Sequence, residues 1–192
     1  MKNAQITREQ WLEIAVGVVA AQLPEITFPP VKVSCSWPGG GSARKRIGEC
    51  WSRAASQGKI NEIFISPKLE ESARVVSVLV HELAHAIDDC KNSHKAAFVK
   101  IGKSLGLEGK PTQMELSTAR AAELAQAVIE KAGIAFPHRR LDMSGRKKQT
   151  TRMLKCECGD CGAIFRMSAK VLAMAEDGLS CPICREENVQ VG

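Results

Sequence analysis

The sequence predicts an α+β domain followed by a small cysteine-paired module, and three observations carry that reading. Val75, Val76, Leu79, Val80, Leu83, Ala84 and Ile87 recur at spacings of three and four, the period of a helix with one buried face. Three short runs before it, Val31–Cys35, Ile47–Trp51 and Ile60–Ile65, have strand character. Near the C-terminus two Cys-x-x-Cys pairs, Cys158/Cys161 and Cys181/Cys184, stand on either side of residues 162–180. A shift to Ser, Gly, Arg, Lys, Gln and Thr after Asp142 places a boundary, giving a main domain over 1–142, a basic linker over 143–155 and the small module over 156–192.

Taken in order, Thr7 reads as the N-cap of an amphipathic helix reaching about Leu23, with Trp11, Leu12, Ala15, Val18 and Val19 facing inward. Pro24, Pro29 and Pro30 end it, and Val31–Cys35 follows as a strand. Trp37–Ser42 is a loop; its glycine run lacks the lysine–serine ending that a phosphate-cradling P-loop needs. Two further strands lead to the central helix. After Ile87 the chain turns polar through Asp88, Asp89, Lys91 and Asn92, and Ser93 is the expected cap of a helix whose stripe is Ala97, Phe98, Ile101 and Leu105. Gly102, Gly106, Gly109 and Pro111 break the chain before an alanine-rich helix over Glu115–Lys131, closed by Gly133.

The central helix carries Val80-His81-Glu82-Leu83-Ala84-His85-Ala86. Residues four apart lie nearly above one another, so His81 and His85 offer two imidazole nitrogens to one metal. Glu82 is rotated about 100° around the axis and points beside the metal, where a base must stand to take a proton from water there. This is the HExxH pattern of zinc hydrolases. Solvated histidines on a surface helix are the plain alternative, but the helix is otherwise strongly apolar, and burying these groups without a shared task is costly. A catalytic zinc takes three protein ligands and keeps one position open. His94, expected on the first turn of the next helix, is the favoured third ligand, with Glu115 and Glu123 as competitors. Asp88 and Asp89 read as helix-end charges, one of which could orient a ligand histidine.

Phe64-Ile65-Ser66-Pro67, Leu79 to Ala86, Ser93-His94 with Phe98, and Leu105-Gly106-Leu107 together resemble the SprT-like zinc metallopeptidases, the group that includes the Spartan proteases of DNA–protein crosslink repair. The resemblance runs from about Val31 to Cys184 and is nearest to small bacterial and viral forms in which a compact peptidase domain precedes a zinc ribbon. It implies a zincin-like fold, hydrolysis of protein or peptide substrates, and action on DNA-bound proteins. The family often has glycine just before the third histidine, where this chain has Ser93. The spacing differs from metzincins, because position 88 is Asp and the third histidine comes later. Ala135 to Leu141 also resembles a piece of the small family members. His138 lies within it, and in a chain with no tyrosine His138 or a nearby arginine is a candidate to steady the tetrahedral intermediate; a turn histidine is the alternative.

Each Cys-x-x-Cys pair forms a turn whose thiolates converge, and two such turns close a tetrahedron around a structural zinc, a zinc ribbon. Cys156, two residues upstream, competes with Cys158 as ligand. Cys35, Cys50 and Cys90 read as small core residues. The expected cofactors are therefore two zinc ions, one catalytic and one structural. The 192 residues, 44% hydrophobic and 25% charged, suit one medium domain plus an accessory module. Neither a signal-peptide pattern nor a membrane-length apolar run is visible. A cytoplasmic setting with reduced or metal-bound cysteines is expected.

The net charge of +6 is uneven. Arg44, Lys45 and Arg46 form one cluster; Arg139, Arg140, Arg146, Lys147, Lys148, Arg152 and Lys155 form a longer one, opposed by Asp142. Arg146, Lys147, Lys148, Arg152 and Lys155 are the candidate DNA contacts, against a solvated linker. The function expected is a zinc-dependent endopeptidase with Glu82 as general base. The rival is a zinc-stabilised nucleic-acid-binding adaptor, to which the intact Glu82 would contribute nothing.

Overall fold

The computed structural model describes residues 6–39, 46–142, 145, 153–175 and 178–192. The chain divides into two units, Met1–Met143 and Ser144–Gly192. No helix among the described residues is long and apolar enough to cross a membrane.

In the first unit Thr7 opens α1 (Arg8–Ala21) as expected. Its hydroxyl accepts from Gln10 N, and the Gln10 side chain accepts from Thr7 N, a reciprocal capping box. Trp11, Leu12, Ala15, Val18 and Val19 are buried, and Trp11 Nε1 donates to Ile134 O at 2.9 Å. Strand β1 (Val31–Cys35) lies parallel to β3 (Asn61–Ile65), and β2 (Gly48–Trp51) lies antiparallel to β3 on its other side. The order β1-β3-β2 leaves β2 at an edge. Alternation on β3 turns Asn61, Ile63 and Ile65 inward.

Helix α2 (Ser72–Ile87) crosses behind this sheet, capped by Glu71, whose carboxylate accepts from Ala73 N and Arg74 N. It is buried along most of its length, because α1, the sheet and α4 (Thr118–Ala132) cover its apolar faces. Burying Leu79, Leu83 and their like contributes roughly 1.5–3 kcal/mol each and makes α2 the most constrained place in the unit to mount side chains.

Several boundaries differ from the sequence reading. Helix α3 spans Ala96–Ser104 with Lys95, not Ser93, at its N-cap. Ser93 has φ +48°, a left-handed conformation incompatible with the extended backbone of a cap. His94 therefore precedes the helix and belongs to a loop. Helix α4 starts at Thr118, capped by Ser117; Glu115 and Leu116 instead form β5 (Glu115–Leu116), paired with β4 (Leu107–Glu108). A 3₁₀ turn over Pro111–Gln113 joins the two strands. The expected αL cap at Gly133 is present, with φ +73°.

In the second unit β6 (Met153–Cys158) is flanked antiparallel by β7 (Ile164–Ser168) and β8 (Val189–Val191), with one short helical turn, α5 (Ala169–Leu172), after β7. Met153–Lys155, read as linker, is the start of β6: Leu154 packs on the inner side while Met153 and Lys155 face out, a strand alternation that their basic neighbours obscured.

Candidate metal centre

His81 and His85 stand one turn apart on α2, and His94 arrives from the loop between α2 and α3. His94 Nε2 lies 3.3 Å from His81 Nε2 and 3.2 Å from His85 Nε2. One ligand atom from each ring falls within 4.8 Å of the others, so the trio could hold a metal ion. His81 Nδ1 lies 2.9 Å from Met114 O. A carbonyl only accepts, so the proton sits on Nδ1 and Nε2 turns a lone pair inward. Converging lone pairs repel unless a cation lies among them. Tetrahedral zinc, with Zn–N bonds of about 2.0–2.1 Å, spaces its nitrogens about 3.3–3.4 Å apart. The donor set fits that ion.

Phe98, fully buried on α3, underlies all three rings; it stacks on His85 at 4.1 Å between centroids and meets His81 and His94 at 5.1 and 5.0 Å. Burial is the main reason all three imidazoles resist protonation. His85, further disfavoured by His81 and His94, is lowered to about 3. Neutral imidazole is the form that binds metal.

Glu82 is 6% exposed and lies beside the trio. Burial, then the negative fields of Cys90 and Glu49, push its carboxyl up to about 8, against the opposing pull of Arg46. Its position is set by Gly48 at the head of β2. A Cβ on Gly48 would come within 2.4 Å of Glu82 Oε1 and 2.7 Å of Val78 Cγ1, so the carboxylate rests against bare backbone. These groups share a cleft of about 590 Å³, with β2 on one side and Arg74, Thr112 and Met114 on the other.

The competing carboxylates each form an ion pair, Glu115 with Arg74 and Glu123 with Arg120, although Glu115 and Arg74 line the same cleft as the histidines. Asp88 accepts from Asn92 N, and Asp89 accepts from Arg53 N and Asn61 Nδ2, so the bonds these carboxylates make go to the loop and to β3. His138 is not among the cleft-lining residues. Its Nε2 donates to Pro67 O at 2.9 Å, which leaves Nδ1 to face Arg8 Nη1 at 3.4 Å. Both ring nitrogens tie the segment after α4 back to the main unit, the task of a turn histidine rather than of a group in the cleft.

In the second unit Cys158, Cys161, Cys181 and Cys184 bring their sulfurs within 4.8 Å of one another and could hold a second ion. Cys158 and Cys184 sulfurs are 3.5 Å apart, and Cys161 and Cys181 3.6 Å; tetrahedral zinc with bonds of about 2.3 Å separates its sulfurs by about 3.75 Å. The Cys184 backbone N–H, against burial, and then the Ile183 N–H bring the Cys181 thiol down to about 6, toward the thiolate a metal needs. Cys158 is the member of this group; Cys156 is buried in the strand and stands outside it. Of the candidate DNA contacts, Arg146, Lys147, Lys148 and Arg152 lie outside the described residues, as do Arg44 and Lys45. Lys155 is ion-paired with Glu157.

Sequence reasoning missed Met114, Gly48 and the role of Phe98. Phe98 was visible as an apolar position and as part of the resemblance, not as the floor of three rings, and the Met114 contact is made by a backbone carbonyl that no side-chain pattern reveals. Comparison with known proteins finds no matching family model, no matching curated protein and no matching solved structure.

Proposed function

We propose that the chain is a zinc-dependent metalloendopeptidase of the SprT-like, zincin-fold kind its motifs resemble. The observation that carries this reading is the convergence of three Nε2 atoms beside a buried glutamate in one open cleft. Zinc bound by His81, His85 and His94 would polarise a scissile carbonyl and acidify water. Glu82 accepts the proton of the attacking water on its carboxylate and returns it to the leaving amine. A cation held by the three histidines would favour the ionised form of Glu82, the form that accepts the proton. Strand β2 pairs on one side with β3 and borders the cleft through Gly48 and Cys50; an extended peptide added to its free edge would run past the histidines. The four cysteines would hold a second zinc in a structural role.

The test is casein hydrolysis by zinc-loaded protein and by Glu82→Gln. The variant is expected to keep its zinc and lose hydrolysis; turnover at the wild-type rate would remove the mechanism. Contact with DNA is the second part of the reading. Lys155 sits directly opposite Arg166 on the exposed face of the β6–β7 pair. Lys155 is offset in part by its ion pair with Glu157, and Arg166 opposite it adds positive charge that suits a polyanion. DNA binding that weakens with salt, and weakens further in Lys155→Glu/Arg166→Glu, is expected.

A further inference from the structure

Two cysteines in the cleft wall, Cys50 on β2 and Cys90 just after α2, are left over from the metal chemistry. The Cys90 thiol donates to Cys50 O across 3.4 Å, and the two cysteine side chains are neighbours in the cleft wall. The backbone is shaped to bring them together. Asp89 and Cys90 are consecutive non-glycine residues in the left-handed region, at φ +57° and +60°. The Asp89 carboxylate holds the first through Arg53 N at 2.8 Å, and the Cys90 N–H bond to His85 O at 2.8 Å holds the second. Backbone strain of this kind marks a site where geometry is enforced by its surroundings. The remaining cysteines lack such a partner: Cys35 lies near Arg8, Cys156 is enclosed in β6, and the other four belong to the sulfur cluster.

We propose that Cys50 and Cys90 are a peroxide-responsive dithiol that closes to a disulfide and switches the cleft off. Either thiol, once ionised, is the attacking group. It takes one oxygen from hydrogen peroxide to become a sulfenic acid, and the other oxygen leaves as water once protonated. The second sulfur then displaces that hydroxyl, which departs as a second water with the second thiol's proton. Two thiols are oxidised and one peroxide is reduced to two waters. Closure brings the sulfurs to about 2.05 Å and ties β2 covalently to the loop after α2. Cys50 is two residues from Gly48, whose backbone sets the position of Glu82. A displacement of about an ångström at a catalytic group costs up to about 100-fold in rate.

The switching effect rests on the peptidase reading; the disulfide does not. The test treats zinc-loaded full-length protein with hydrogen peroxide, maps peptides without reduction, and assays hydrolysis before and after. A Cys50–Cys90 crosslink is expected, with zinc content unchanged, a rate at least tenfold lower, and recovery of both in dithiothreitol. Cys90→Ser should form no crosslink and keep its own untreated rate. Oxidation that falls on Cys35 or the sulfur cluster first, or a crosslinked protein that hydrolyses as before, would overturn the proposal. If reduced protein shows no hydrolysis at all, the peptidase reading fails while a mapped crosslink still establishes the dithiol.

Discussion

His81 donates its Nδ1 proton to the carbonyl oxygen of Met114 across 2.9 Å, joining residues that are 33 positions apart. The bond settles which nitrogen faces the metal position, and it makes the turn before β5 part of the site. Removing such outer contacts typically weakens metal binding about 10–100-fold.

Met114 is itself held by Gly102 on α3. A Cβ on Gly102 would meet Met114 Cε at 3.0 Å and Sδ at 3.1 Å. The flexible end of a methionine yields to one methyl group, so Gly102→Ala should bind zinc nearly as wild type does. Gly102→Val crowds the same place with a branched, rigid side chain, and zinc affinity at the histidines should fall about tenfold or more. Chelator competition, which separates the histidine ion from the sulfur-bound one by affinity, measures the difference; equal affinities in Gly102→Val and wild type would mean Met114 does not fix the ring.

Gly48→Ala tests the floor beneath Glu82. Its new Cβ would have to push aside both the carboxylate and Val78. Overpacking should cost about 1–3 kcal/mol of stability, and a displaced base should lower the hydrolytic rate by up to about 100-fold while zinc stays bound. Metal analysis alongside kcat reads this directly. Unchanged kcat with lowered stability would assign Gly48 to packing alone.

α1, α2 and β1 were legible because their signals are local. Thr7 and Gln10 make a cap within four residues, and the stripe from Val75 to Ile87 states its own period. His81, Glu82 and His85 follow from that period, whereas His94 converges through a left-handed Ser93. That φ value is one a serine rarely adopts, so no local pattern announces it. The β4–β5 pair escaped notice because two-residue strands show no alternation. The loop carboxylates were read as solvated charges, yet Asp89 accepts bonds from the Arg53 backbone and Asn61 that hold its own carboxyl below the usual range.

Glu82 should make the metal-free protein less stable as pH rises. Its carboxyl titrates at about 8 in the fold against 4.5 as the ordinary value, so between these the folded state binds more protons. Stability from the buried neutral acid is full below 4.5 and is lost as pH climbs through 8. Glu82→Gln cannot ionise. The variant should therefore be more stable than wild type by about 2–4 kcal/mol at pH 8.5, with little difference at pH 5. Trp11, Trp37 and Trp51 all lie in the first unit, so tryptophan fluorescence during urea unfolding reads this without interference from the second unit. A gap independent of pH would show that charge at Glu82 is not the cause.

The second unit should depend on its metal outright. Three short strands and a four-residue helix give it little apolar interior, and Ile164, Met174 and Ile183 are exposed. A module of that size lacks the buried area to offset chain entropy without a staple, and bringing four sulfurs together without an ion opposes folding. Strong chelation, or Cys184→Ser, should open the region from Met153 to Val191 to protease. The tryptophan-reported unfolding of the first unit should stay in place for Cys184→Ser with its histidine ion restored. Protection of the second unit after complete metal removal would mean its strands hold without the ion, and the four cysteines would need another explanation.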